Sequence, residues 1–202
     1  MELLTLADKA SLDVLYLGVY SFAGWLLEVC YRSVKQRHFV NPGFLKGPFL
    51  SIYGTFALFI IAAEQPLLQV AWEWHFIYFV VASPILEYVV GYCFWHYHHL
   101  QLWDYHKVPF NYKGFVALPF SLIWGALGLV FEHAVQPFVQ EKLSTIPSYP
   151  RQGLATLFGV YLIWDVFQSF KLLRKFEQCV IQLHELDEHH EQKTIWVELR
   201  TL

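Results

Sequence analysis

Apolar residues fall along this chain in long runs, broken by short polar stretches rich in Gly, Pro, His and aromatic residues. Five runs have the character of membrane-crossing helices: 14–31, 48–63, 76–95, 115–131 and 154–170. The first is uncharged until Glu28, the third is interrupted only by Glu87, the fourth carries no charge, and the fifth has Asp165 near its end. The second run is short of the roughly 20 residues that a perpendicular span needs. Pro48 and Gly54 leave a re-entrant segment open there. Past Lys171, the residues Leu172, Phe176, Val180 and Leu183 recur at three-to-four spacing. That spacing predicts that the fifth run continues into an amphipathic helix, and the acidic stretch 185–191 favours water over an anionic lipid surface. The expected fold is therefore all-α, a polytopic membrane bundle of about five transmembrane helices over 1–170, with a cytoplasmic helical tail over 171–202.

Two of the runs resemble each other. Residues 43–58 read GFLKGPFLSIYGTFAL and residues 114–129 read GFVALPFSLIWGALGL, matching without a gap at a separation of 71. Shared Phe, Ile and Leu mean little in so apolar a chain. Gly43 with Gly114, Pro48 with Pro119 and Gly54 with Gly125 mean more, because each fixes backbone conformation or permits close approach. Gly47 adds a further turn position in the first copy. A Leu-Glu pair precedes each copy, at Glu28 and at Glu87, with an insertion in the second loop, and each copy follows an Asn, Asn41 or Asn111. These features predict a duplicated two-helix unit, about 14–63 and 76–131, with parallel copies.

Composition supports lipid as the solvent. The chain is 56% hydrophobic and only 15% charged, against about 25% charged in soluble domains. A net charge of −3 and the lack of a basic cluster exclude a nucleic-acid partner. Three cysteines, Cys30, Cys93 and Cys179, make a disulfide framework a poor expectation. The acidic first residues lack the features of a cleaved signal, so the first run is expected to stay in the mature protein. Nine Lys and Arg flank one side of the expected spans (Arg32, Lys35, Arg37, Lys46, Lys107, Lys113, Lys171, Arg174, Lys175), and three flank the other (Lys9, Lys142, Arg151). The asymmetry predicts a cell-membrane protein with its N-terminus outside and its C-terminus in the cytoplasm.

Glu87 is the residue most in need of explanation. It lies near the middle of an apolar run with no basic residue within a helical turn, where an ionised carboxylate costs roughly 3 kcal/mol. It must face the bundle interior, serving either as a packing hydrogen bond or as a proton, ion or substrate contact. Glu28 has Arg32 at i+4, a geometry suited to an ion pair, and a packing hydrogen bond is the expectation for Asp165. The loop 39–48, FVNPGFLKGP, predicts a tight non-helical entry with exposed backbone amides beside Lys46, which is either an anion or headgroup site or an ordinary turn. The loop 96–114 holds His96, His98, His99, His106, Asp104, Asn111 and Lys113 without any metal-binding spacing, so no metal and no cofactor is expected. Trp103 and Tyr105 fit interfacial anchors. No nucleotide-binding GxxxxGK[ST] motif occurs, nor GxSxG or HExxH, so the chain is no ATPase.

The ordered strings GWLLEVCYR, FVNPGFLKGP and IYG within 24–54, then LEYVVGY and LWDYHKVPFNYKG within 86–114, resemble the putative ABC-transporter type IV family of small bacterial membrane proteins. The resemblance covers about 16–130. It implies a multi-pass permease-like protein and draws attention to Glu28, Asn41, Gly43, Gly47, Pro48, Tyr53, Gly54, Glu87, Trp103, Asp104, Tyr105, Asn111 and Gly114. Pro42 and Phe115 stand where the family pattern has Arg, and Ser51 where it has Pro. Two functional readings follow. One is a transport component in which Glu28, Glu87, Asn41, Asp104, Asn111 and Tyr53 contact substrate, proton or ion. The other is a membrane-embedded enzyme or scaffold acting at the cytoplasmic face in envelope or lipid metabolism. The expected partners are the bilayer, a separate ATPase or other membrane subunit, and further copies of the chain.

Overall fold

The computed structural model describes the backbone of residues 6–67 and 70–200 and the side chains of 6–63, 70–176 and 178. It is all-helical apart from one two-residue strand pair. Helix α1 spans Leu6–Gln36, α2 Ser51–Leu67, α3 Trp72–His98 and α4 Leu118–Val130. A π-helical turn, Phe131–Val135, carries α4 into α5, Gln136–Ser144, and α6 spans Ser148–Arg200. Among the described residues, four stretches are long and apolar enough to cross a membrane: Leu6–Gln36, Trp72–His98, Leu118–Ser144 and Ser148–Phe176. The expectation of five is corrected in part, because α2 has only 17 residues, about 25 Å at the helical rise. It is nonetheless one continuous helix, which leaves no re-entrant loop in its described length.

The two prolines matched by the repeat occupy different positions. Pro48 lies in the loop, three residues before α2 begins. Pro119, expected to mark a turn as Pro48 does, is corrected to a helical position, because it lies inside the first turn of α4. Its ring is accommodated there because the first helical N–H groups have no intrahelical acceptor to lose. The chain reaches α4 through Ala117, which is extended (φ −147°, ψ 136°), so the second copy enters its helix from a strand rather than from a loop.

Short as it is, α2 forms the centre of the bundle. Its Ala57 packs with Tyr16 and Tyr20 of α1, while Phe56 and Ile60 pack with Phe79 of α3. Gly54 allows α2 to lie directly on Leu17 and Ser21 of α1, and Gly125 lets α4 do the same on Phe76 and Val80 of α3. In both pairs, positions rising along one helix meet positions falling along the other, so the partners are antiparallel. By contrast α6 runs parallel to α1: Arg151 meets Asp8 near their starts, and Phe158 covers Gly18 further along. The outward faces carry Leu27, Val81, Ile85, Leu157, Ile163 and Phe167, all exposed, as helices bathed in hydrocarbon require.

Several polar groups inside the bundle pair across helices. The fourth run ends in sequence at Phe131, but the helix continues because Glu132 binds His75 of α3 at 2.8 Å, both side chains being largely buried. Tyr20 similarly donates to Gln136. Pro137 lacks the N–H that would have continued the ladder, consistent with the π turn just before it. The expected amphipathic pattern at Val180 and Leu183, and the acidic stretch 185–191, lie outside the described side chains, although the helical backbone continues to Arg200.

Two loops close the end of the bundle at which α1 and α3 finish. Residues 37–50 fold over α1, with the Leu50 N–H donating to the Ser21 carbonyl at 3.0 Å. Residues 99–117 form a small hairpin in which Asn111 pairs Ala117 and Tyr112 pairs Val116. Its tip, Lys113 and Gly114, has positive φ, and a Cβ at Gly114 would strike the His106 ring.

Candidate functional site

The site is built from glycine contacts upward. Gly24 of α1 presents bare backbone to the ring of Tyr53, which brings the α2 phenol down beside Glu28. Tyr53 Oη donates to Glu28 Oε2 at 3.1 Å, and Arg32 Nε donates to Oε1 of the same carboxylate at 2.7 Å. Across the bundle, Trp124 of α4 donates its indole N–H to Glu87 Oε1 at 3.1 Å. Tyr105 reaches in from the 99–117 loop and donates to the same oxygen at 3.4 Å. Tyr53 and Trp124 meet edge to face, with ring centroids 5.1 Å apart, so the two carboxylate sites are joined through their aromatic donors.

The cluster is asymmetric in charge. Glu28 is half-buried and holds Arg32, whereas Glu87 is only 6% exposed and forms no ion pair among the described residues. Its second oxygen, Oε2, is buried without a hydrogen-bond partner among the described residues. Arg32 balances one carboxylate, leaving the cluster one positive charge short whenever both glutamates are ionised. In hydrocarbon such an imbalance is costly.

The other expected residues occupy different positions. Asn41 accepts from the Trp25 indole at 2.6 Å. Asn111 organises its own loop, donating to the Val108 carbonyl at 2.8 Å and accepting from the Gly114 N–H at 3.2 Å. Asp104 accepts from the His106 backbone N–H at 2.8 Å and contacts its ring at 2.6 Å, and these bonds hold its carboxyl below the usual range. Trp103 turns its N–H inward to the Phe115 carbonyl at 2.7 Å, and Tyr105 likewise points to Glu87. The histidines of the loop are dispersed: His96 stacks on Tyr92, and His98 lies against Phe170. Among the described residues, no group of three or more His, Cys, Asp or Glu could hold a metal ion.

The entry loop to α2 is already occupied by the chain itself. Asp165 of α6, fully buried, accepts the N–H groups of Lys46 at 3.2 Å and Gly47 at 3.0 Å, and Ser169 Oγ accepts from Lys46 at 3.1 Å. Gly47 is required here, since a Cβ would collide with Tyr161 and Asp165. The amides that the sequence left open as an anion site are thus bound by an internal carboxylate. Helix α6 thereby anchors the loop beside Glu28.

The family pattern now has a physical meaning: its Glu, Tyr and Gly positions form the paired carboxylate cluster, and its Asn, Gly and Asp positions shape the loops. The profile of the putative ABC-transporter type IV family matches residues 15–170. The chain belongs to that family. No curated protein and no solved structure matches it. The match extends beyond the 16–130 expected from the motifs and takes in the membrane part of α6, including Asp165. Sequence reading singled out Glu28 and Glu87 but missed Trp124, whose only signal was its place one residue before Gly125, where Tyr53 stands before Gly54.

Proposed function

We propose that this protein is a permease-like component of a membrane transport system, and that the Glu28–Glu87 cluster is its cation or proton site. The observation that carries the reading is the buried, unpartnered Glu87 Oε2 beside a carboxylate already neutralised by Arg32. Asn41, Asp104 and Asn111 act in this reading by holding the two loops that cover the site. A membrane-embedded enzyme is the less supported alternative, because the hydrogen bonds of Asp104 and Asn111 are spent within their own loop.

The reading includes a duplicated unit, with transmembrane residues 1–170 as its domain and 171–202 as a cytoplasmic tail. Matching contacts support the duplication: Tyr53 serves Glu28 as Trp124 serves Glu87, and Tyr20 meets Ala57 as Phe79 meets Gly128. The loops carrying Arg37, Lys46, Lys107 and Lys113 face the cytoplasm, where a separate ATPase subunit would dock.

The test is proton movement in proteoliposomes under an imposed pH gradient. Wild-type protein should pass protons in exchange for a second cation, and Glu87→Gln should abolish this. Unimpaired flux in Glu87→Gln, with loss in Asp104→Asn and Asn111→Ala, would move the function to the loop face.

A further inference from the structure

We propose that an apolar groove between α3 and the 99–117 hairpin binds one anionic phospholipid, with acyl chain along α3 and phosphate at Lys113. The groove has a volume of about 560 Å³ and is lined on α3 between Val80 and Val89, with Tyr112 and Val116 of the hairpin and Ser121 of α4 opposite. That volume lies within the range of built ligand sites, roughly 300–1,000 Å³. The lining decides what the groove holds. Its side chains are hydrocarbon apart from Ser121 and two tyrosine hydroxyls, and Ser121 Oγ already donates to the Ala117 carbonyl at 3.3 Å. A polar ligand would lose its hydration on this floor without gaining a partner, whereas a hydrocarbon chain has nothing to lose. From Val80 to Val89 the helical rise covers about 13 Å. That is close to half of the roughly 30 Å hydrocarbon core, the depth of a single leaflet. A lipid chain fits such a length, and a membrane-spanning partner helix would need twice as much.

Charge sets the headgroup. Tyr88 and Tyr112 meet at the hairpin end of the groove, with ring centroids 5.6 Å apart, and tyrosines favour the headgroup level of a bilayer. Lys113 Nζ lies 5.6 Å from the Tyr112 ring centroid, and this lysine forms no ion pair among the described residues. Its backbone is fixed in the hairpin turn, where Lys113 and Gly114 both have positive φ and Asn111 Oδ1 accepts the Gly114 N–H at 3.2 Å. A cation held at the mouth of an apolar groove, with no carboxylate of its own, complements the phosphate of a net-negative lipid. A zwitterionic lipid brings its own cation to that phosphate and gains less. The bound lipid would touch α3 and the hairpin together, bracing the loop that carries Tyr105 to Glu87. Binding here does not depend on what Glu87 exchanges.

The experiment is photo-crosslinking of the full chain in neutral detergent to phosphatidylglycerol with a diazirine on its acyl chain, followed by peptide mapping. Label should concentrate on 80–89 and 112–121 rather than on the exposed faces of α1 and α6. Unlabelled phosphatidylglycerol should compete about fivefold better than phosphatidylcholine, the ratio given by one lysine's attraction of about 1 kcal/mol. Lys113→Gln should bring the two competitors level, and Lys113→Arg should keep them apart. Ile85→Trp fills the groove from an exposed position and should sharply reduce labelling there, while Val160→Trp, similarly exposed on α6, should not. Equal competition by the two lipids in wild type would make the groove ordinary lipid-facing surface and overturn the proposal. So would a preference that survives Lys113→Gln, or label spread evenly over the bundle.

Discussion

Glycine at position 54 does at residue scale what the bundle needs. A Cβ there would meet the Ser21 hydroxyl and the Leu17 backbone carbonyl, and a backbone atom cannot yield cheaply. Gly54→Ala should therefore destabilise the protein by about 1–3 kcal/mol, read as a lower melting temperature in detergent. Gly153 on α6 has nothing within 4 Å, so Gly153→Ala should leave stability unchanged or raise it by up to about 1 kcal/mol through helix propensity. Equal losses at both sites would contradict this account of the α1–α2 contact. The role of Gly54 was legible in the sequence because Gly at a repeated offset is rare and conformationally specific. Pro119 was legible only in part: its offset from Pro48 was plain, but a proline reads alike before a helix and within its first turn. The pairing of Asp8 with Arg151 at 2.9 Å was not legible at all. Arg151 looked like a loop cation, and nothing local reveals that a residue 143 positions away will bury it.

At the scale of elements, membrane helices announce themselves by apolar length, and four of the five expected runs became long helices. Their ends were harder to place. The fourth run was read as closing at Phe131, yet the helix continues because a tertiary partner, His75, makes the Glu132 carboxylate tolerable inside the bundle. The 37–50 loop illustrates the same limit: its Gly and Pro spelled a tight turn, but the carboxylate that fastens it comes from α6. Asp165→Leu should leave the Gly47 amide without its acceptor, at about 1–3 kcal/mol, and the Lys46 amide with Ser169 alone. Limited proteolysis should then cut within 37–50 much faster than in wild type, while Asp165→Asn, which keeps one acceptor, should fall between. An uncut loop in Asp165→Leu would mean that α6 does not hold it.

For the whole molecule, α1 with α2 and α3 with α4 form two antiparallel pairs that bring Glu28 and Glu87 together through Tyr53 and Trp124. Apolar periodicity and the shared Gly-Phe strings could suggest the pairs, but convergence of the carboxylates depends on how α2 nests between α1 and α3. The direction of the bundle can be checked with single cysteines in a background free of the native ones. Lys107→Cys should react with an impermeant maleimide only from the cytoplasmic side, and Ser144→Cys only from outside. The reverse pattern would invert the orientation and place the Glu87 cluster nearer the outer face. The central claim, that Glu87 carries an exchangeable positive charge, is tested most directly by infrared difference spectroscopy of the protein in lipid as pH is changed. The account predicts a protonated-carboxyl band that appears as pH falls, persists in Asp104→Asn and vanishes in Glu87→Gln. A difference spectrum unaltered by Glu87→Gln would contradict it.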